Sequence, residues 1–444
     1  MYTPQTAPIP TLDVPGPRLN FSVIRLARLI MRPYARALRF LEPTMLGGER
    51  MVDAYRDFLD GKTRLIIGFR HAYGDDPQLM VYTLHHALPR EARRLKKPLK
   101  GITHAHFVYG VEVPFWSGGF VRWLLPNVGA VPINHVHMDS VGMNRIRKAL
   151  SSGAFPLALA PEGHVTYDSE AVGELETGTA RFGFWCIEDL ARAGREEKVM
   201  FLPVSTHYRY GKGSGRALDR LLQGLEAGCG IESPATDGRT LESLRARVAA
   251  IGQAILSITG AYYHELSGTP EGASQEALLD AALSAAERIL ALTGSGEPFE
   301  RLYRIRNVAW DRIFRGDMGA MSPLRKSLAG RETGEAWYAM RHLETAMLLA
   351  HVRFGELPRD ASLNRLFEIA NNSYDLAERL KGGTLRNRAN PIAKRPVVVV
   401  GEPIPFDEFY PLYREDRKAA LAAATARMKE SFTQCVKDYK EAFD

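Results

Sequence analysis

The sequence lacks the features that would commit it to a membrane span, a disulfide scaffold or a phosphate loop. No run of about 18 apolar residues occurs, the length that a bilayer-crossing helix needs, so no transmembrane helix is expected. Its three cysteines, Cys186, Cys229 and Cys435, are far apart and form no Cys-x-x-Cys pair. That excludes a readable disulfide framework or a thiolate zinc site, and it fits a reducing compartment. Residues 1–16 are rich in proline and threonine and have no long apolar core, so no secretory signal is expected there. The glycine-rich stretch 211–216, GKGSGR, lacks the spacing and the terminal Lys-Ser/Thr pair of a phosphate loop, and it reads as a linker. No internal repeat emerges.

What is present is an ordinary globular composition. The chain has 444 residues, 45% hydrophobic and 25% charged. At roughly 150 residues per domain this allows two or three domains, and it excludes global disorder. The net charge of +7 points to an anionic partner without choosing among phosphate groups, anionic lipid and nucleic acid.

The N-terminal region narrows that choice. Residues 20–41 read NFSVIRLARLIMRPYARALRFL. Arg25, Arg28, Arg32, Arg36 and Arg39 recur every three or four residues, which places all five on one helical face. Phe21, Ile24, Leu26, Leu29, Ile30, Tyr34, Leu38 and Leu41 occupy the rest, and Pro33 is expected to kink or divide the helix. An arginine face beside an apolar one suits the surface of an anionic bilayer. The arginines alternate with aliphatic residues and not with stacking aromatics, so nucleic acid is not the expected partner.

Beyond it, short apolar runs alternate with helical patterns. Strands are expected at 64–69, 105–111, 128–133, 155–160 and 198–205, with helices at 77–88 and 140–150. This is an α/β pattern, a sheet covered on both faces. From about Arg239 to Gly382 the periodicity is helical almost throughout, with helices expected at 241–266, 275–292, 299–314, 335–353 and 362–380. Residues 395–400, RPVVVV, then return to a buried-strand pattern, and a helix follows from about 416 to 442. A late lone strand needs a sheet to join. The simplest arrangement returns it to the first sheet and makes the helical stretch an insertion. The expected organisation is an N-terminal amphipathic membrane-contact element over 1–50, an α/β core over 51–212, a mainly helical insertion over 213–393, and the last core strand with a C-terminal helix over 394–444.

Two features of the α/β part carry chemistry. His71 follows the strand at 64–69, and Asp76 lies five positions on. A carboxylate fixes an imidazole's tautomer and stabilises its protonated form, so the pair suits a general base; Asp76 before Pro77 equally suits a helix cap. Pro161-Glu162-Gly163 follows the strand at 155–160. There Gly163 permits a tight turn, and Glu162 is placed to orient a hydroxyl or to support the histidine.

In order and spacing these segments resemble the glycerolipid acyltransferase family, which includes glycerol-3-phosphate and lysophosphatidate acyltransferases. His71 and Asp76 match its His-x-x-x-x-Asp block. The segment 129–135, GAVPINH, matches in part a Gly-x-x-x-Ile-x-Arg block. Pro161-Glu162-Gly163 matches its third block, and Phe201-Leu202-Pro203-Val204 its fourth. The segment 397–404 resembles its late strand, which ends Gly-Glu-Pro-Ile. The likeness covers roughly 55–210 and 394–440.

The resemblance implies a mixed sheet flanked by helices. It also implies an acyltransferase in which His71, held by Asp76, activates an acceptor hydroxyl for direct attack on the thioester of acyl-CoA or acyl carrier protein. No metal or resident cofactor is implied. Asn134, His135, Glu162, Gly163 and His164 fall at acceptor-binding positions. The implied location is the cytoplasmic face of a membrane, held peripherally. The chain departs from the family where arginines usually contact an acceptor phosphate: His135 and Val165 stand there. Arginine binds phosphate in a bidentate way that histidine and valine do not. A lysophospholipid or another lipid alcohol therefore stands beside glycerol phosphate as the acceptor. Arg145, Arg147, Lys148 and Arg181 are the cations available to compensate.

Two other classes remain open. Eight of the twelve histidines lie between 71 and 164. His85-His86, His104-x-His106 and His135-x-His137, near Asp75-Asp76, have spacings that chelate transition metals, as a metal-dependent hydrolase would require. A catalytically silent membrane-binding protein is the other.

Overall fold

A computed structural model describes residues 7–9, 14–134, 139–211, 213–232, 240–358, 360–383 and 392–443. It divides into two compact units, with boundaries at Asp13/Val14, Gly211/Lys212 and Ile392/Ala393.

The first unit, Val14–Gly211 with Ala393–Asp444, is built on an eight-stranded mixed sheet. Its strands are β1 (Thr44–Leu46), β2 (Thr63–Phe69), β3 (His106–Gly110), β4 (Val131–Ile133), β5 (Leu157–Leu159), β6 (Lys198–Tyr210), β7 (Lys394–Val400) and β8 (Ile404–Pro405). The order is β1-β7-β6-β2-β5-β3-β4, with β8 on the first half of β6. The run from β6 to β4 is parallel, and β7 is antiparallel to β6. The late strand thus lies inside the sheet, between β1 and β6.

Alternate residues of the central strands supply two cores. Leu65, Ile67, Leu202 and Val204 pack on one face with Met51, Val52 and Tyr55 of the helix Gly48–Leu59. Ile66, Val199 and Phe201 pack on the other with the helices Ser140–Ser152, Gly178–Arg192 and Arg417–Phe443. Gly68 is required in β2, because a Cβ there would meet the Phe201 ring at 2.2 Å.

The sheet differs from the expected one in its edges. β6 continues to Tyr210 because Val204–Tyr210 pair with Val400–Lys394. That partner lies far along the chain, outside any local pattern. β1 and β8, three and two residues long, are too short to show a period. Gly215 and Arg216, within the expected linker, lie in the helix Ser214–Cys229, and Gly213 takes the left-handed position before it.

The N-terminal helix is one element, Phe21–Ala37, capped by the Asn20 side chain. Pro33 sits inside it and does not divide it. Arg39 lies past its end with φ 57°, so four arginines and not five belong to the helix. Ile24, Met31 and Ala35 are buried, whereas Leu26, Leu29 and Ile30 are exposed beside the arginines.

The second unit is helical. It contains the helices Ser214–Cys229, Leu241–Ser267, Gln275–Leu290, Pro298–Ile313, Pro323–His351 and Leu363–Leu380. Thr240, Ser274, Ser322 and Ser362 cap four of them through their hydroxyls, which satisfies otherwise orphaned N–H groups. Ala282, Ala285 and Ala286 face Ala336, Ala339 and Ala346, so small side chains let the helices pack closely. The helix expected at 335–353 begins already at Pro323. Its early turns carry exposed Leu324 and Leu328, which blur the apolar period. The N–H of Ile9 donates to the Ile313 carbonyl at 2.7 Å and adds a short bridge to this unit.

Candidate active site

β2 and β5 are parallel neighbours, with Gly68 opposite Leu159. Their carboxyl ends release Arg70-His71 and Pro161-Glu162-Gly163 at the same edge of the sheet. Open α/β sheets bind ligands at that edge.

Glu162 is fully buried, and both of its oxygens are engaged. Oε1 accepts from Arg70 Nε at 3.2 Å, and Oε2 accepts from the backbone N–H of His71 at 2.7 Å. Arg70 is itself buried and donates to the carbonyls of Ser169, Asp168 and Ala171. The His71 carbonyl accepts from Thr166 N at 2.9 Å. Glu162 therefore grips the histidine backbone and ties the 166–171 loop down through Arg70. It does not face open space, so in this structure it offers no oxygen to an acceptor. Gly163 adopts φ +72°, a left-handed conformation that favours glycine.

The His71 ring is partly exposed, and its Nδ1 lies 3.6 Å from Asp76 Oδ2. That is longer than a hydrogen bond. Asp76 is wholly buried. Its Oδ2 accepts from Tyr73 N at 2.6 Å, and its Oδ1 accepts from Thr206 Oγ1 at 3.0 Å and from the Tyr208 hydroxyl. Burial and the nearby Asp76 and Asp75 charges push the Tyr208 hydroxyl well above its ordinary pKa, so it remains a donor. Asp76 is the first residue of the helix Asp76–Tyr82, and its carboxylate serves this cluster in place of the expected cap. Asp75 pairs with Lys394 Nζ of β7 at 3.2 Å, and that ammonium lies over the Tyr208 ring at 4.7 Å.

Thr206, Tyr208 and Lys394, and the role of Arg70, escaped the reading of the sequence. The signal for the first two was the alternation of β6. Residues 204, 206 and 208 share one face, so a strand carrying Val204 inward also carries Thr206 and Tyr208 toward Asp76.

The other expected site residues are more scattered. The Asn134 N–H donates to Asp139 Oδ2 at 2.9 Å, where Asp139 also caps the helix Ser140–Ser152. His164 is half-buried in the loop after Gly163. His135 and His137 lie outside the described residues. Arg147 is committed to Asp189 through two hydrogen bonds.

His85, His86, His104 and His106 pair with each other and with the backbone. His104 Nε2 donates to the Val128 carbonyl at 2.9 Å, which leaves its Nδ1 to accept from His85 Nε2 at 2.9 Å. His106 Nδ1 donates to the Gly129 carbonyl at 2.8 Å. Burial pushes His85 down to about 3 and His104 down to about 4. His85 lies in a π-helical turn, Thr83–Ala87, that continues the helix Asp76–Tyr82 toward Leu88–Arg94. Among the described residues no group of three or more His, Cys, Asp or Glu side chains converges as metal ligands.

No helix of the described residues is long and apolar enough to cross a membrane. Comparisons with family models, with curated proteins and with solved structures found no match.

Proposed function

We propose that the protein is an acyltransferase that moves a fatty acyl group from a thioester to a hydroxyl of a glycerolipid or lysophospholipid. The observation that carries this reading is a partly exposed imidazole whose Nδ1 faces a buried, threefold hydrogen-bonded carboxylate at the carboxyl edge of a parallel sheet. With Nδ1 turned to Asp76, Nε2 is the nitrogen left for substrate.

The acceptor hydroxyl gives its proton to Nε2 as its oxygen attacks the thioester carbonyl. Asp76 stabilises the imidazolium that forms. The tetrahedral intermediate collapses, the carbon–sulfur bond breaks, and the imidazolium returns its proton to the departing thiolate. No acyl-enzyme and no metal enter this sequence. Glu162 and Arg70 act as positioning residues that hold the His71 backbone.

The N-terminal helix would bring the enzyme to its lipid. Its exposed Leu26, Leu29 and Ile30 lie among Arg25, Arg32 and Arg36. The adjoining helix Gly119–Asn127 adds exposed Phe120 and Trp123. The Asn20 N–H donates to the Asn127 carbonyl at 3.0 Å and joins the two. Apolar and aromatic side chains ringed by arginine favour an anionic bilayer surface.

The test is transfer of radiolabelled acyl groups from acyl-CoA and from acyl carrier protein. Glycerol 3-phosphate, lysophosphatidate, several lysophospholipids and neutral lipid alcohols serve as acceptors, with anionic liposomes present. Labelling of one acceptor class that disappears in His71→Ala is expected. Undiminished labelling in that variant would remove His71 from the mechanism, and no labelling with any pair would reject the reaction.

A further inference from the structure

We propose that the helical unit binds a phosphate group, as the free ion or as the head of a phosphomonoester, among Arg306, Arg341 and Arg379. This goes beyond the acyltransferase reading and does not rest on it.

Three helices bring these arginines to one carboxylate. Arg306 lies on the helix Pro298–Ile313, Arg341 and Glu344 on Pro323–His351, and Arg379 near the end of Leu363–Leu380. Glu344 Oε2 accepts from Arg341 Nη1 at 3.1 Å and lies 3.6 Å from Arg379 Nε. The charge of Arg306 also acts on Glu344. Three guanidinium groups against one carboxylate leave two positive charges over. The neighbouring acids are engaged elsewhere: Glu378 pairs with Lys381, and Glu368 pairs with Arg365 at 2.6 Å.

The deciding residue is Arg379. Its side chain is only 2% exposed, and among the described residues it meets no acid but Glu344. Nη1 and Nη2 are both buried and make no hydrogen bond. Other buried arginines of this unit are better served: Arg247 and Arg301 each donate to two carboxylates. A buried cation left unanswered is strongly destabilising. The site therefore calls for an acceptor that these three helices do not supply.

The open groups define that acceptor. A guanidinium only donates, so the ligand must accept. Nη1 and Nη2 form a planar fork that matches two oxygens of a tetrahedral oxyanion. Trp337 stands one turn before Arg341 on the same helix face, with its ring 5.9 Å from that guanidinium. Its buried Nε1–H also meets no acceptor. Arg306 donates to Met347 Sδ at 3.3 Å, a weak acceptor that an oxyanion would outcompete. A phosphate dianion balances the two charges left over, whereas a halide or a carboxylate balances one.

Calorimetric titration and thermal melts of the full chain test this, with inorganic phosphate, glycerol 3-phosphate and lysophosphatidate micelles as probes. Sodium chloride at matched ionic strength is the control. None of these measurements needs acyl transfer, so they stand whichever way the transfer assay falls. At about 100 times Kd, inorganic phosphate should raise the melting temperature of the native chain by about 5 °C. Arg379→Met should abolish that rise and lower phosphate affinity by at least about 30-fold, the scale of losing charge-assisted hydrogen bonds. In phosphate-free buffer it should melt no lower than the native chain, because it removes an unanswered charge. Arg306→Gln, at a more exposed position, is the second variant and should weaken binding about tenfold. A preference for either ester that Arg379→Met abolishes identifies a phosphomonoester as the ligand, and the reverse order identifies the free ion. No binding of any probe by the native chain, or unchanged affinity in both variants, overturns the site. So does an Arg379→Met chain that is less stable by the same margin with and without phosphate, since that arginine would then be purely structural.

Discussion

Both units bury charge, and they use it differently. In the helical unit Arg247 donates to Glu226 and Asp219, and Arg301 donates to Glu287 and Asp280. Each arginine meets two carboxylates, and the clusters join helices to helices. In the sheet unit Arg70 meets a single carboxylate, Glu162, whose second oxygen holds the His71 N–H. Asp76 in turn faces a partly exposed ring. Buried charge alone does not mark a site. A site is marked where the buried network ends on a titratable group that solvent can reach.

The largest expected effect tests the chemical side of that contrast. His71→Ala should lower acyl transfer by about 10³-fold, within the range that general-base catalysis contributes, while the circular dichroism spectrum and melting temperature stay unchanged. Asp76→Asn should also lower transfer strongly, because it alters the tautomer and removes the charge opposite the imidazolium.

The next effect compares the buried networks. Glu162→Gln leaves the Arg70 charge uncompensated, and Arg247→Met leaves two buried carboxylates without their cation. Removing one partner of a buried pair costs about 3–5 kcal/mol, so urea unfolding should show a loss of that order for each. Only Glu162→Gln should also change the transfer rate per folded molecule. An equal effect of Arg247→Met on that rate would break the distinction between the two units.

A smaller effect is pH-dependent. His85 and His104 are held neutral by burial, at about 3 and about 4. Below about pH 6.5 the unfolded chain takes up protons at these histidines and the folded chain does not. Their contribution is therefore intact above that pH and is lost as pH falls toward 4 and then 3. Thermal melts between pH 7 and 4 should show this decline, and His85→Gln should flatten it.

The smallest effect is Thr206→Val, which removes one of the hydrogen bonds to Asp76. A loss of about 1 kcal/mol is expected, with a modest decrease in transfer.

The sequence made the central strands legible because β2 and β5 are apolar runs with turn residues after them. It made the helical unit legible because a helical period runs almost unbroken from about Arg239 to Gly382. The short edge strands β1 and β8 were hidden for want of a period, and the far half of β6 because its partner is β7. The same limits applied to the site. His71, Asp76, Glu162 and Gly163 were visible as spaced motifs, but the duties of Glu162 and Arg70 were not, because their partnership joins the ends of two strands. Thr206, Tyr208 and Lys394 depend on the β6–β7 register, which no local pattern reveals. Arg39 was misplaced because helical spacing continues on paper past the residue where the backbone turns left-handed.

The place of β7 has a consequence in time. A ribosome delivers β1, β2, β5 and β6 early and β7 only after the whole helical unit. Until then the inner edges of β1 and β6 expose unpaired N–H and carbonyl groups, a surface open to mispairing with other chains. Closing the sheet requires a contact of very long sequence separation, and such contacts form slowly. Lys394 arrives on that same strand and meets Asp75 beside the His71–Asp76 pair. A nascent chain that has made His71 therefore still lacks part of its surroundings until β7 is in place.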